Sequence, residues 1–214
     1  MKELDNFKTI FQYTPAESNA LLSIEEKGKS AKIRHLNIMS GGEDITLLGE
    51  DFSNSWCSHF RKASQCTKNA DGVVMFERPT EKVILLCELK SSGSGVFDTA
   101  YQQTFSSYIK TCMAMSVCNN FDVTEYKVYF VFTAQESPEL AVRQNELEEI
   151  DESKRDFYDK VSLSLLKGEE VRFMMDAIPH NLSYLHSSLT HKEVMCKLLT
   201  SQTDTIDLHI DTLV

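Results

Sequence analysis

Asn69-Ala-Asp-Gly-Val-Val-Met-Phe-Glu-Arg-Pro-Thr-Glu-Lys-Val-Ile-Leu-Leu-Cys-Glu-Leu-Lys90 reads as two β-strands joined by a tight connection around Arg78 and Pro79. Proline has no amide to give a ladder, so Pro79 belongs in the turn. Val83 to Cys87 is apolar at every position and bounded by charge, the pattern of a central strand covered on both faces or of a short buried helix segment. Polar side chains return only at the end of the second strand, as Glu88 and Lys90.

Residues two apart in a strand share a face, so Glu88 and Lys90 project together while Leu89 packs on the other side. With a connection of three to five residues, antiparallel pairing sets Asp71 opposite Glu88 or within two residues of it. Direct cross-strand partners have Cβ atoms roughly 5 Å apart. Two carboxylates and an ammonium thus converge. Oxygen donors of this kind suit Mg²⁺, with Mn²⁺ as a substitute, since the ion takes carboxylates, keeps several waters and leaves positions for phosphate oxygens. A lysine beside the ion can position the attacking water or help to deprotonate it. An isolated Glu-x-Lys is ordinarily solvated charge. Here it is set apart by the apolar strand before it, the Asp-Gly opening of the partner strand and a helix after Ser91-Ser-Gly-Ser-Gly95.

On these residues the chain resembles the PD-(D/E)XK nuclease superfamily over about residues 45 to 134. Asp71 matches the first acid, Glu88 the second and Lys90 the lysine; Ala70 stands where the motif's name has proline. The resemblance implies a restriction-endonuclease-like α/β fold, a mixed central β-sheet flanked by helices, and metal-dependent phosphodiester hydrolysis with DNA as the expected substrate. It also implies a glutamine on the helix that follows. Tyr101-Gln102-Gln103 lies in that place. The helical period puts Gln102 at the edge of the apolar stripe and Gln103 on the polar side, whereas the spacing from Ala100 favours Gln103, so both are candidates. A third carboxylate from a preceding helix is a further feature of such nucleases. Glu50 or Asp51 is the candidate, just ahead of Phe52, Trp56 and Phe60 at helical spacing, although acids also favour a helix start through its dipole.

Around this hairpin, Thr14-Pro15-Ala16-Glu17 has the cap, proline and capping-box glutamate of a helix start, predicting a helix to about Glu26 and then a strand from Ala31 to Met39, ended by Gly41-Gly42. A helix is predicted from Val96 to about Val117. Glu125 to Thr133 alternates, giving Tyr126, Val128, Phe130 and Phe132 one face of a buried strand. Residues 1–138 form the expected nuclease-like core. Residues 139–214 form an expected mainly helical extension, with helix over Leu140 to Leu166, broken near Asp151, and again from Asp176 to Leu199 after Pro179. His180, His186 and His191 do not align on one helix face, so zinc ligation is not expected.

The chain has 214 residues, enough for one domain with a sizeable core. Its six cysteines lack zinc-ligand spacing, and no apolar run approaches a membrane span. A soluble cytoplasmic protein with no membrane partner is expected. A net charge of −10 opposes an extended nucleic-acid surface, because a polyanion is bound chiefly through cations that displace its counterions. The charge is uneven: Lys27, Lys29, Lys32 and Arg34 form a basic run, Arg61, Lys62 and Lys68 precede the hairpin, and acids crowd between Glu136 and Glu170. The alternative reading is a catalytically inactive protein of this fold, serving as an interaction module or as a subunit of a larger defence or repair complex. In either case a partner protein or a second copy would dock through the C-terminal helices.

Overall fold

The computed structural model describes residues 2–11, 13–29, 31–49, 52, 68–90, 96–178 and 185–213. Among them, seven strands build a mixed sheet in the order β1 (Ala16–Ser18), β4 (Ile45–Gly49), β5 (Gly72–Arg78), β6 (Glu81–Leu89), β7 (Tyr126–Gln135), β9 (Glu193–Ser201) and β8 (Val171–Met174). β7 runs parallel to both β6 and β9, and the remaining pairs are antiparallel. A second sheet of three strands, ordered β10 (Thr205–His209), β3 (His35–Met39) and β2 (Leu21–Glu25), lies on one face. The molecule is therefore α/β with two sheets and flanking helices.

Each face of the large sheet has its own apolar core. Helices α1 (Lys2–Phe11), α2 (Val96–Met115) and α4 (Phe157–Leu166) contribute to the first, where Phe7, Tyr101, Phe105 and Tyr108 meet Ile84, Leu86 and Phe130. The second lies between the sheets, where Ile24, Leu36, Ile38 and Leu208 meet Val74, Phe76, Val83, Leu85 and Cys87. Coverage on both sides explains why Val83 to Cys87 is apolar without interruption. The predicted face of β7 is the observed one, with Tyr126, Val128, Phe130 and Phe132 all in the helix-side core.

Three expectations are corrected. The helix from Pro15 to Glu26 is instead β1 and β2, and within β2 only Leu22 and Ile24 are buried while Leu21, Ser23 and Glu25 are exposed. That alternation has the period of a strand, and pairing of β2 with β3 overrides the local capping signal. The strand predicted from Ala31 begins only at His35. Residues 139–214 are not mainly helical: α3 (Pro138–Glu149) and α4 form, broken around Asp151 as expected, but β8, β9 and β10 follow. Past Ile178 the described α-helix is the single turn α5 (Ser187–Thr190). Because β9 inserts beside β7, the C-terminal part builds the sheet itself and is not a helical layer added to it.

The β5–β6 connection is also tighter than expected. Arg78 pairs with Glu81, leaving Pro79 and Thr80 as a two-residue turn. Arg78 then fastens the C-terminus to this turn. Its guanidinium donates to Glu81 Oε1 at 2.9 Å, to the Leu213 carbonyl at 3.2 Å and to the Ile210 carbonyl.

Candidate metal centre

The hairpin register fixes the relation of the two acids. Gly72 lies across from Cys87, so continuing the ladder by one residue sets Asp71 across from Glu88. Both then face the helix side of the sheet with Val73, Met75, Ile84 and Leu86. Asp71 Oδ2 accepts the Leu89 amide hydrogen at 2.6 Å, which locks the acid against the end of β6. Gly72 beside it is tightly packed: a Cβ at this position would come within 2.7 Å of Ile24 Cδ1 and force that side chain to shift, so β2 packs closely on the backbone next to Asp71.

Glu88 is fully buried. Its carboxylate contacts the Lys90 ammonium, and among the described residues no other group supplies a hydrogen bond to either oxygen. Burial, followed by the charge of Asp71, pushes the Glu88 carboxyl up to about 8; Lys90 opposes this only in part, and Glu26 adds a smaller upward push. A buried acid with unmatched lone pairs beside a second acid is a poor arrangement for two negative charges and a good one for a cation.

Gln103 is the glutamine that joins the site. Lys90 Nζ donates to Gln103 Oε1 at 2.9 Å, while Gln103 Nε2 donates to the Asn69 carbonyl at 2.9 Å. The amide therefore ties the lysine to the segment that precedes Asp71. Gln102, one residue away, makes no hydrogen bond to this cluster among the described residues.

Other residues of α2 continue the tie and were not foreseen as contributors. Ser106 Oγ donates to the Lys68 carbonyl at 2.5 Å, and the Ala70 amide donates to Ser107 Oγ at 2.7 Å. The ammonium of buried Lys110 donates to the Lys68 carbonyl at 2.9 Å and to Asn69 Oδ1. Gln103, Ser106, Ser107 and Lys110 follow the i, i+3, i+4, i+7 spacing of one helix face. This polar stripe grips residues 68–70 and so delivers Asp71 to its place. The signal was present in the sequence as a second, polar periodicity beside the apolar one.

Glu50 and Asp51 lie outside the described residues, as do Trp56, Phe60, Arg61 and Lys62. Phe52 is helical and buried, with ring centroids 4.8 Å from Phe7 and 5.0 Å from Tyr13. Among the described residues no cluster of three or more His, Cys, Asp or Glu side chains forms. The candidate donors are Asp71 and Glu88. Two carboxylates, one with both oxygens unmatched apart from the lysine, are hard oxygen donors of the kind that would suit Mg²⁺. His180 is outside the described residues, His186 caps α5 through Ser188, and His191 Nε2 stands 3.4 Å from Asp176 Oδ2.

None of the described helices is long and apolar enough to cross a membrane. No protein-family model, curated protein or solved structure matches the chain.

Proposed function

We propose that the protein is a Mg²⁺-dependent nuclease of restriction-endonuclease-like fold that hydrolyses phosphodiester bonds, with DNA as its substrate. The observation that carries this reading is the meeting of Asp71, Glu88 and Lys90 at one strand end, with Gln103 holding the lysine. Asp71 and Glu88 would hold the cation, and Mn²⁺ would substitute for it. The bound ion supplies charge neutralisation at the scissile phosphate and acidification of water.

The chain's own residues do the rest. Asp71 is oriented by the Leu89 amide, which donates to its Oδ2. Glu88 would have to give up its proton to serve as a ligand, because burial and Asp71 push its carboxyl up to about 8. Lys90 presents its ammonium beside the acids in a fixed direction set by Gln103, suited to orienting an attacking water or stabilising charge on phosphate. Such pre-organisation leaves little to rearrange when substrate arrives.

Incubating purified protein with plasmid, single-stranded DNA and RNA in Mg²⁺ or Mn²⁺ tests the proposal. Wild-type protein is expected to cleave DNA, and Glu88→Ala and Lys90→Ala each to lose activity by on the order of 10²–10³-fold. No cleavage of any substrate by the wild type, or equal cleavage by the variants, would overturn it.

A further inference from the structure

The connection between β2 and β3 crosses the same edge of the molecule as the candidate site. Four backbone contacts trace that edge: the Lys90 amide donates to the Thr133 carbonyl at 3.1 Å, the Glu136 amide to Ser201 at 2.8 Å, and the Arg34 and His35 amides to Asp204 at 2.7 and 3.0 Å. The ends of β6, β7 and β9 and the start of β3 therefore lie along one rim. At one end of the connection, β2 packs Ile24 against Gly72, the neighbour of Asp71. At the other, Lys32 reaches Glu139 at the start of α3, at 3.7 Å.

Within this connection Lys27, Lys29, Lys32 and Arg34 are all exposed, while Ile33 is fully buried and anchors it. Glu139 neutralises Lys32. Lys27, Lys29 and Arg34 form no ion pair among the described residues. Three cations that form no ion pair among the described residues, on one short connection, stand out in a chain of net charge −10.

We infer that the β2–β3 connection is the surface that binds the substrate's sugar–phosphate backbone, with Lys27, Lys29 and Arg34 each taking a phosphate along the rim on which β6 ends. This rests on the nuclease reading for its biological sense, but not for its test. A single strand offers a charge about every 3.4 Å, and the three exposed cations, all between Lys27 and Arg34 in the chain, offer it several partners. A membrane surface fits less well, because interfacial segments add apolar anchors to their basic residues and the large apolar side chain here, Ile33, faces the core.

The experiment is fluorescence anisotropy of labelled duplex and single-stranded oligonucleotides in EDTA, repeated over a range of salt concentrations. Wild type is compared with the Lys27→Ala/Lys29→Ala/Arg34→Ala triple variant and with Lys154→Ala/Lys160→Ala as a control elsewhere on the surface. Circular dichroism checks that each variant is folded. The triple variant is expected to bind duplex at least tenfold more weakly at low salt, with the slope of log K against log[salt] shallower by about 2–3. The control should match the wild type. An unchanged slope, an equal loss in the control, no wild-type binding, or tighter wild-type binding to anionic phosphatidylserine vesicles than to oligonucleotide each overturns the inference. Binding without cleavage in Mg²⁺ would instead retain this surface and refute the nuclease reading.

Discussion

Glu88 is wholly buried, faces Asp71 and is only partly compensated by Lys90. Its carboxyl sits near 8 in the fold against an ordinary value of 4.5. A raised folded value means that its contribution to stability is complete below about pH 4.5 and is lost as pH rises through 8. In EDTA, Glu88→Gln should therefore raise the thermal midpoint at pH 8.5 by about 5 °C, the shift that roughly 2 kcal/mol produces in a chain of this size, and leave it nearly unchanged at pH 4. A variant no more stable than wild type at pH 8.5 would show that the acid is not strained. Gln103 acts through the lysine. Gln103→Ala is expected to lower kcat for DNA cleavage by about 100-fold, while Mn²⁺ affinity measured by calorimetry stays within a few-fold. Equal losses in both would place the glutamine's role at the ion. Glu88, Lys90 and Asp71 were legible from the sequence because strand period alone sets their faces. The choice between Gln102 and Gln103 was not, because the apolar stripe of α2 described only what packs, whereas the bonds to Lys90 and Asn69 depend on where a separate segment lies.

Among the elements, those with long uninterrupted patterns were readable: β6 from its apolar run, β7 from its alternation and α2 from its stripe. The failures have specific causes. Thr14-Pro15-Ala16-Glu17 carries a helix-start signal, yet β2 is only five residues long and buries just Leu22 and Ile24, too brief an alternation to outweigh the cap. β9 lies between β7 and β8 with Val194, Met195 and Cys196 all buried, so it shows no alternation and cannot be told from a helix by period. The contact between β2 and the hairpin also makes a prediction. Gly72→Val would drive a side chain into Ile24 and should cost about 1–3 kcal/mol by chemical denaturation, with DNA cleavage falling as Asp71 is displaced. Unchanged stability would mean that β2 does not press on this strand.

For the whole molecule, the decisive feature is that two cores share one sheet. The helix-side core orients the face bearing Asp71 and Glu88, and the sheet-on-sheet core brings β2, β3 and β10 beneath it. The expected boundary near residue 138 does not mark where the central sheet ends, because β9 is one of its interior strands. Sequence alone concealed this, since parallel pairing of β7 with β9 joins residues more than sixty positions apart, as with Val128 and Val194, and leaves no local trace. The proposed nuclease requires that two neighbouring strands together hold one divalent cation. Anomalous scattering from a crystal soaked in Mn²⁺ above pH 8 checks this. One strong peak is expected within about 2.5 Å of oxygens from both Asp71 and Glu88, absent from an Asp71→Asn crystal; a saturating soak with no peak between these carboxylates would contradict the proposed site.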